Sequence, residues 1–376
     1  MKNKKMRKKL MAVTMAAFLA FGGTACGSNR SKGNDSGDSV RKDVESIKKE
    51  NQVKTTQNTT SQEIQSTKRT TYPLTITTYG TDGSELTTIY EKAPEKVVAV
   101  YQGCIETMLA LGLEDHLVAT AGLDNEVPDS QKEAFSKTNY LDEFTPSLET
   151  VTMLEPDMIF SWGSLFKEGT LGDTSDWVKK GTNLYMNTNT HPMQNGESYN
   201  KTLENEFTDI LNIGKIFDVQ DRAEAIVNDM KKSIAKVEEK TVSQKEKPTA
   251  LILESGKDGF TNYGKTSLGG DMVTKLGGEL ANPDASQVGK EDVIAANPDV
   301  IFVVYMPYSG DDKEQVKQEK LDVILKDKTY ASLDAVKNGR VVPIMLSEMY
   351  ASATRTKDGI ITFAEGLYPE IDLKLR

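Results

Sequence analysis

The chain has 376 residues, with 46 Lys and Arg against 56 Asp and Glu and 37% hydrophobic residues, enough to bury one or two sizeable cores. Six of the basic residues (Lys2, Lys4, Lys5, Arg7, Lys8 and Lys9) fall in the first 25, which hold no acid, so the remainder carries 40 basic against 56 acidic side chains, a net charge of −16. That balance excludes a nucleic-acid binder, which needs a basic face for counterion release, and two cysteines with two histidines exclude a disulfide framework or a Cys/His zinc site.

In chain order, a basic stretch over residues 2 to 9 precedes an apolar run from Leu10 to Phe21 and the small residues Gly23-Thr24-Ala25, the layout of a secretory signal. The run is too short to span a bilayer core, which needs about 20 residues. Ala25-Cys26-Gly27 resembles the lipobox of bacterial lipoproteins, whose cysteine is acylated and becomes the mature N-terminus, although Gly23 stands where that motif usually has Leu. Residues 26 to 71 are polar, with few branched aliphatics, and read as a disordered tether. The expectation is a signal over residues 1 to 25, lipid on Cys26, and a body held at the extracytoplasmic side of the cell membrane by that lipid alone.

From Tyr72 onward, apolar β-rich runs alternate with helical patterns, which predicts an α/β fold with mainly parallel sheets flanked by helices. Val97 to Tyr101, Met158 to Ser161, Ala250 to Leu253, Ile301 to Val304 and Val341 to Ile344 are predicted strands. Asp358 to Tyr368 is a predicted helix ended by Pro369. Glu149-Thr-Val-Thr-Met-Leu-Glu-Pro156-Asp157-Met-Ile-Phe160 aligns without a gap on Glu291-Asp-Val-Ile-Ala-Ala-Asn-Pro298-Asp299-Val-Ile-Phe302, 142 residues further on. That offset is too long for a solenoid and about one domain long, so it predicts two similarly built lobes. Between them, Ile226, Met230, Ile234 and Val237 recur at helical spacing and predict one long bridging helix from about Val219 to Val242. The expected divisions are a lobe over 72 to 215, the bridge over 216 to 245 and a second lobe over 246 to 376.

These motifs, with Ala93-Pro-Glu-Lys-Val-Val-Ala-Val100, Glu106-Thr-Met-Leu-Ala-Leu-Gly112, Gly269-Gly-Asp-Met-Val-Thr-Lys-Leu-Gly-Gly278 and Ala335-Val-Lys-Asn-Gly-Arg-Val341, occur in an order that resembles the substrate-binding lipoproteins of ABC importers in the iron-siderophore, heme and cobalamin class. The resemblance covers about residues 72 to 370. It implies a monomeric, non-enzymatic body of two lobes that holds a ferric siderophore or other metal chelate in the cleft between them. The body would have no intrinsic cofactor and would dock onto a permease dimer with its ATPase subunits. It also implies that one surface glutamate per lobe meets permease arginines, at positions matching Glu149 and Glu291; both are equally placed as helix N-terminal acids stabilised by the macrodipole. Heme or cobalamin is the alternative ligand. A sensor or adhesion lipoprotein and an exported hydrolase are alternatives of a different class, the last without a G-x-S-x-G or H-E-x-x-H motif behind it.

Ligands of open parallel sheets lie beyond the carboxyl ends of the strands. That rule selects Tyr101, Gln102, Trp162, Tyr305, Met306 and the loop from Met349 to Arg355, including Tyr350, while Tyr263 follows the first strand of the second lobe. Arg355 either holds an acidic ligand or pairs with Asp358. No direct metal ligands are expected. His191 is read as an exposed loop histidine, with heme ligation beside Met186 or Met193 as the other reading.

Overall fold

The structure, a computed structural model, describes residues 69–375. The expected signal, Cys26 and the tether as far as residue 68 lie outside the described residues. Residues 69 to 71, expected to end the tether, are held against the body: Thr70 N–H donates to Asp218 Oδ1 at 2.7 Å, its hydroxyl donates to Lys215 O at 2.6 Å, and Arg69 pairs with Asp218 at 2.9 Å.

Two β-rich segments, β1 (Leu74–Tyr79) and β2 (Glu85–Tyr90), form an antiparallel hairpin in which alternation turns Ile76, Thr78, Thr88 and Tyr90 inward. The next segment supplies β3 (Val97–Val100), α1 (Gln102–Ala110), β4 (Leu117–Ala121), α2 (Lys132–Phe135), α3 (Leu148–Met153), β5 (Met158–Ser161), α4 (Thr174–Lys179) and β6 (Asn183–Met186). Its four strands pair in parallel in the order β4-β3-β5-β6. Helices α5 (Leu203–Ile216) and α6 (Gln220–Thr241) follow.

The second segment contains β7 (Thr249–Ser255), β8 (Phe260–Asn262), α7 (Leu268–Lys275), β9 (Glu279–Leu280), β10 (Gln287–Val288), α8 (Lys290–Ala296), β11 (Val300–Tyr305), α9 (Lys313–Leu325), α10 (Asp334–Lys337), β12 (Val341–Met345) and α11 (Thr356–Leu367). Its sheet runs β10-β8-β7-β11-β12, with β9 also on β7. Strands β9, β11 and β12 extend it in parallel, whereas β8 and β10 are antiparallel. The reversal is local: Gly256 N–H donates to Gly259 O at 2.8 Å and Gly259 takes φ 146, so the chain folds straight back on β7 instead of crossing over through a helix. The α/β class holds, with this antiparallel edge added.

Each main strand buries both faces. Val97, Ala99, Phe160, Ile252, Val300, Phe302 and Val304 join one apolar cluster with α1, α5, α6, α7 and α11. Val98, Val100 and Ile159 face a second cluster, and Leu251, Leu253, Ile301 and Val303 a third. The first cluster is continuous from one sheet to the other. Helix α6, about 33 Å long at 1.5 Å per residue, closes one side of it through Ala223, Val227, Met230 and Val237, packed on α5 and α11.

The internal repeat has matching structural roles at three of its positions. Glu149 and Glu291 each lie in the first turn of a short helix, α3 and α8. Six residues on, Glu155 and Asn297 take left-handed backbone (φ 48 and 35), which ends the helix before Pro156 and Pro298. The following aspartates then fasten the start of a neighbouring strand. Asp157 accepts from the N–H groups of Glu95 and Lys96 at 2.8 and 2.9 Å, before β3, and Asp299 accepts from Thr249 N–H and Oγ1 at 2.7 and 2.8 Å, at the start of β7.

Candidate functional site

The loops that follow β3, β5, β8 and β12 meet along a seam between the two sheet-bearing segments. Tyr101, directly after β3, has φ 79, a conformation rare for a bulky side chain, fixed by its N–H donating to Ala121 O at 2.9 Å. Its ring lies 4.5 Å from that of Trp162, which follows β5, and 5.8 Å from Phe144. Trp162 in turn lies 5.7 Å from Tyr350, and Tyr350 lies 6.5 Å from Tyr263. Four of the predicted residues therefore form one aromatic row, two rings from each segment. The indole N–H of Trp162 is buried and finds no acceptor among the described residues. Lys201 adds a cation: its Nζ sits 4.2 Å from the Tyr350 ring centroid and donates to the Tyr350 hydroxyl at 3.0 Å.

Behind the row lies a buried polar bridge. Arg355, 8% exposed, donates from Nε and Nη2 to the two carboxylate oxygens of Glu106 at 2.7 and 2.6 Å, a bidentate fork between residues 249 apart in sequence. It also donates to Glu126 O at 2.8 Å and to Ser347 Oγ at 3.3 Å. Burial works against this cation, and the Glu106 carboxylate more than offsets it, so the Arg355 pKa is raised. The expected alternative of a pair with Asp358 is corrected: the fork is filled by Glu106, and Asp358 contributes only a weaker charge interaction. Gln102 belongs to the same bridge, donating to Glu106 at 2.6 Å and accepting from Asn125 N–H at 3.2 Å. The close approach depends on Gly103, because a Cβ there would lie 2.8 Å from Ala351 O.

A second buried pair, Glu206 and Asp209 on α5, supports the loop that carries Tyr350. Glu206 accepts from Ala353 N–H and from Asn189 Nδ2, both at 2.5 Å. Asp209 accepts from Tyr185 at 2.8 Å and from Thr188 at 2.6 and 2.8 Å. Burial, and for Glu206 the neighbouring Asp209, push their pKa values up to about 8 and about 7.

Tyr305 ends β11 and is 7% exposed; burial beside Glu348 and Glu314 pushes its phenol up to about 12, and it shares no ring contact with the row among the described residues. Glu149 and Glu291 are both exposed on their helices. His191 is not a solvated loop side chain: it is stacked between Tyr79 at 4.1 Å and Tyr199 at 3.7 Å. Among the described residues, no group of three or more His, Cys, Asp or Glu is placed to hold a metal ion. Residues that the sequence reading missed are Glu106, Asn125, Lys201 and Glu206; only Glu106 had a signal, as an acid between Ile105 and Met108 on an apolar helix.

A family model described as periplasmic binding protein matches residues 97–345, a span that takes in both sheets and most of this seam. The chain belongs to that family. As a periplasmic binding protein it is similar to the Bacillus subtilis protein named uncharacterized ABC transporter substrate-binding lipoprotein YvrC, at 23% identity over 80% of this chain and 87% of that one. It is also similar to the petrobactin-binding protein YclQ of the same organism, at 24% identity over 69% of this chain and 78% of that one. Among solved structures, a periplasmic binding protein from Veillonella parvula superposes with a TM-score of 0.71 at 28% identity, over 80% of this chain and 93% of that one. This periplasmic binding protein is of the ABC-transporter substrate-binding kind.

Proposed function

We propose that the protein captures an iron-siderophore-type chelate at the aromatic seam and delivers it to an ABC permease dimer, working as a lipid-anchored, extracytoplasmic and non-catalytic receptor. The observation that carries this reading is the row Tyr101, Trp162, Tyr350 and Tyr263, drawn equally from two segments and lying where strand ends converge. Flat, polarisable ring faces with an unfilled indole donor suit a large chelate with peripheral carbonyl or carboxylate acceptors. The relative named for petrobactin supports the same ligand class. In this reading the segments 72 to 215 and 246 to 376 act as lobes joined through 216 to 245, and Glu149 and Glu291 are the docking groups.

The test is tryptophan fluorescence of the purified body titrated with ferric siderophores, heme, cobalamin and free divalent metals. The two tryptophans separate cleanly, since Trp177 is buried with its indole donating to Leu171 O. Ferric siderophores are expected to quench the wild type and Trp177→Phe, and to leave Trp162→Phe unchanged. Response to heme or cobalamin alone, or to free divalent ions alone, would replace the siderophore reading.

A further inference from the structure

Resting on the chelate reading, we infer that this seam accepts ferric chelates that are neutral or positively charged and discriminates against polyanionic ones.

A polyanionic chelate requires free cations, above all arginine, whose planar fork suits carboxylate and catecholate oxygens. The described residues contain four arginines, and each is occupied. Arg69 pairs with Asp218, Arg222 donates to Leu111 O, and Arg340 donates to Gly366 O and Leu367 O. Arg355, the one at the seam, has Nε and Nη2 locked on Glu106 and its remaining nitrogen on Ser347. Freeing it would leave the fully buried Glu106 carboxylate without its counter-charge, so the ligand cannot borrow it. Lys201 is the remaining cation on the row and is turned onto the Tyr350 ring and hydroxyl.

The acids around the row are differently placed. Asp124, two residues before Glu126 and on the loop whose backbone oxygen accepts from Ser309 N–H at 2.9 Å, has a carboxylate with no hydrogen-bond donor among the described residues. Glu254, at the end of β7, accepts from the Tyr263 hydroxyl at 2.6 Å. These two acids come from opposite segments; burial raises the pKa of the Tyr308 phenol, and the charges of both add to that rise. Glu348, after β12, adds to the effect of burial in raising the Tyr305 phenol, and is itself opposed by the charges of Lys313 and Arg355. The ring faces themselves present negative quadrupole to whatever lies on them. Two cations already engaged, Arg355 and Lys201, therefore stand at the row against Glu106, Asp124 and Glu254, while Glu348 has Lys313 to oppose it. A polyanion desolvated in this setting meets like charge, whereas a neutral or cationic chelate does not.

The experiment compares two ferric probes of similar bulk and opposite charge on the folded body: the monocationic trihydroxamate chelate ferrioxamine B and the trianionic tris-catecholate chelate ferric enterobactin. The cationic probe is expected to bind at least about tenfold more tightly, with an affinity that weakens as salt is added. Asp124→Asn combined with Glu254→Gln is expected to narrow that preference by about tenfold with an unchanged unfolding temperature. Because the salt dependence is read on the wild type, the inference is tested even if the double variant does not fold. Equal or tighter binding of the trianionic probe overturns the charge assignment and leaves the chelate reading standing. A preference unmoved by the folded double variant also overturns it, and binding of neither probe removes both.

Discussion

Glu206 and Asp209 lie three residues apart on α5, one turn of helix, and both are cut off from water. With folded-state pKa values pushed up to about 8 and about 7, each holds a proton at a pH where the unfolded chain would release it. Their contribution to stability is therefore fully present below ordinary carboxylate values and is lost as pH rises through about 7 and then about 8. The unfolding temperature is expected to fall over that interval, and Glu206→Gln, which cannot ionise, is expected to flatten the fall. An unchanged slope in circular-dichroism melts of the variant would show that Glu206 is not the group responsible. At this scale the sequence was partly legible. Tyr101, Trp162, Tyr263 and Tyr350 could be chosen because strand ends are visible as apolar runs. Arg355 was singled out, with an acidic ligand or Asp358 as its expected partner; Glu106 was not offered, because it lies 249 residues away in sequence.

Among the elements, the duplicated Pro-Asp unit does more than break a helix. Its aspartates tie the entry of β3 and of β7 to the loop preceding β5 and β11, replacing backbone partners that a strand end lacks. Asp157→Ala and Asp299→Ala should each cost about 1 to 3 kcal/mol in urea unfolding, the range for stranding paired donors, with Asn recovering part because its Oδ1 still accepts. A loss at one position only would mean that the two units are alike in sequence but not in load. The repeat was readable because Pro, Asp and the apolar register are strong local signals. Strands β8 and β10 were not, since runs of two or three residues carry no periodicity, although the Gly256 and Gly259 turn marks the reversal.

For the whole molecule, the proposed docking role rests on the exposed Glu149 and Glu291, each in the first turn of a short helix of the internal repeat. Replacing both with Ala is expected to abolish uptake in cells while leaving ligand affinity unchanged; full uptake by the double variant would overturn the docking proposal. The order of synthesis gives the Arg355 to Glu106 bridge a further meaning. Glu106 is made early and its counter-ion comes near the end of the chain, so the growing chain carries an acid whose native burial has no counter-charge until Arg355 is made. Until the last few dozen residues are delivered, the first half has reason to stay loose. The native burial of Glu106 with its counter-charge thus waits on nearly the whole length of the chain.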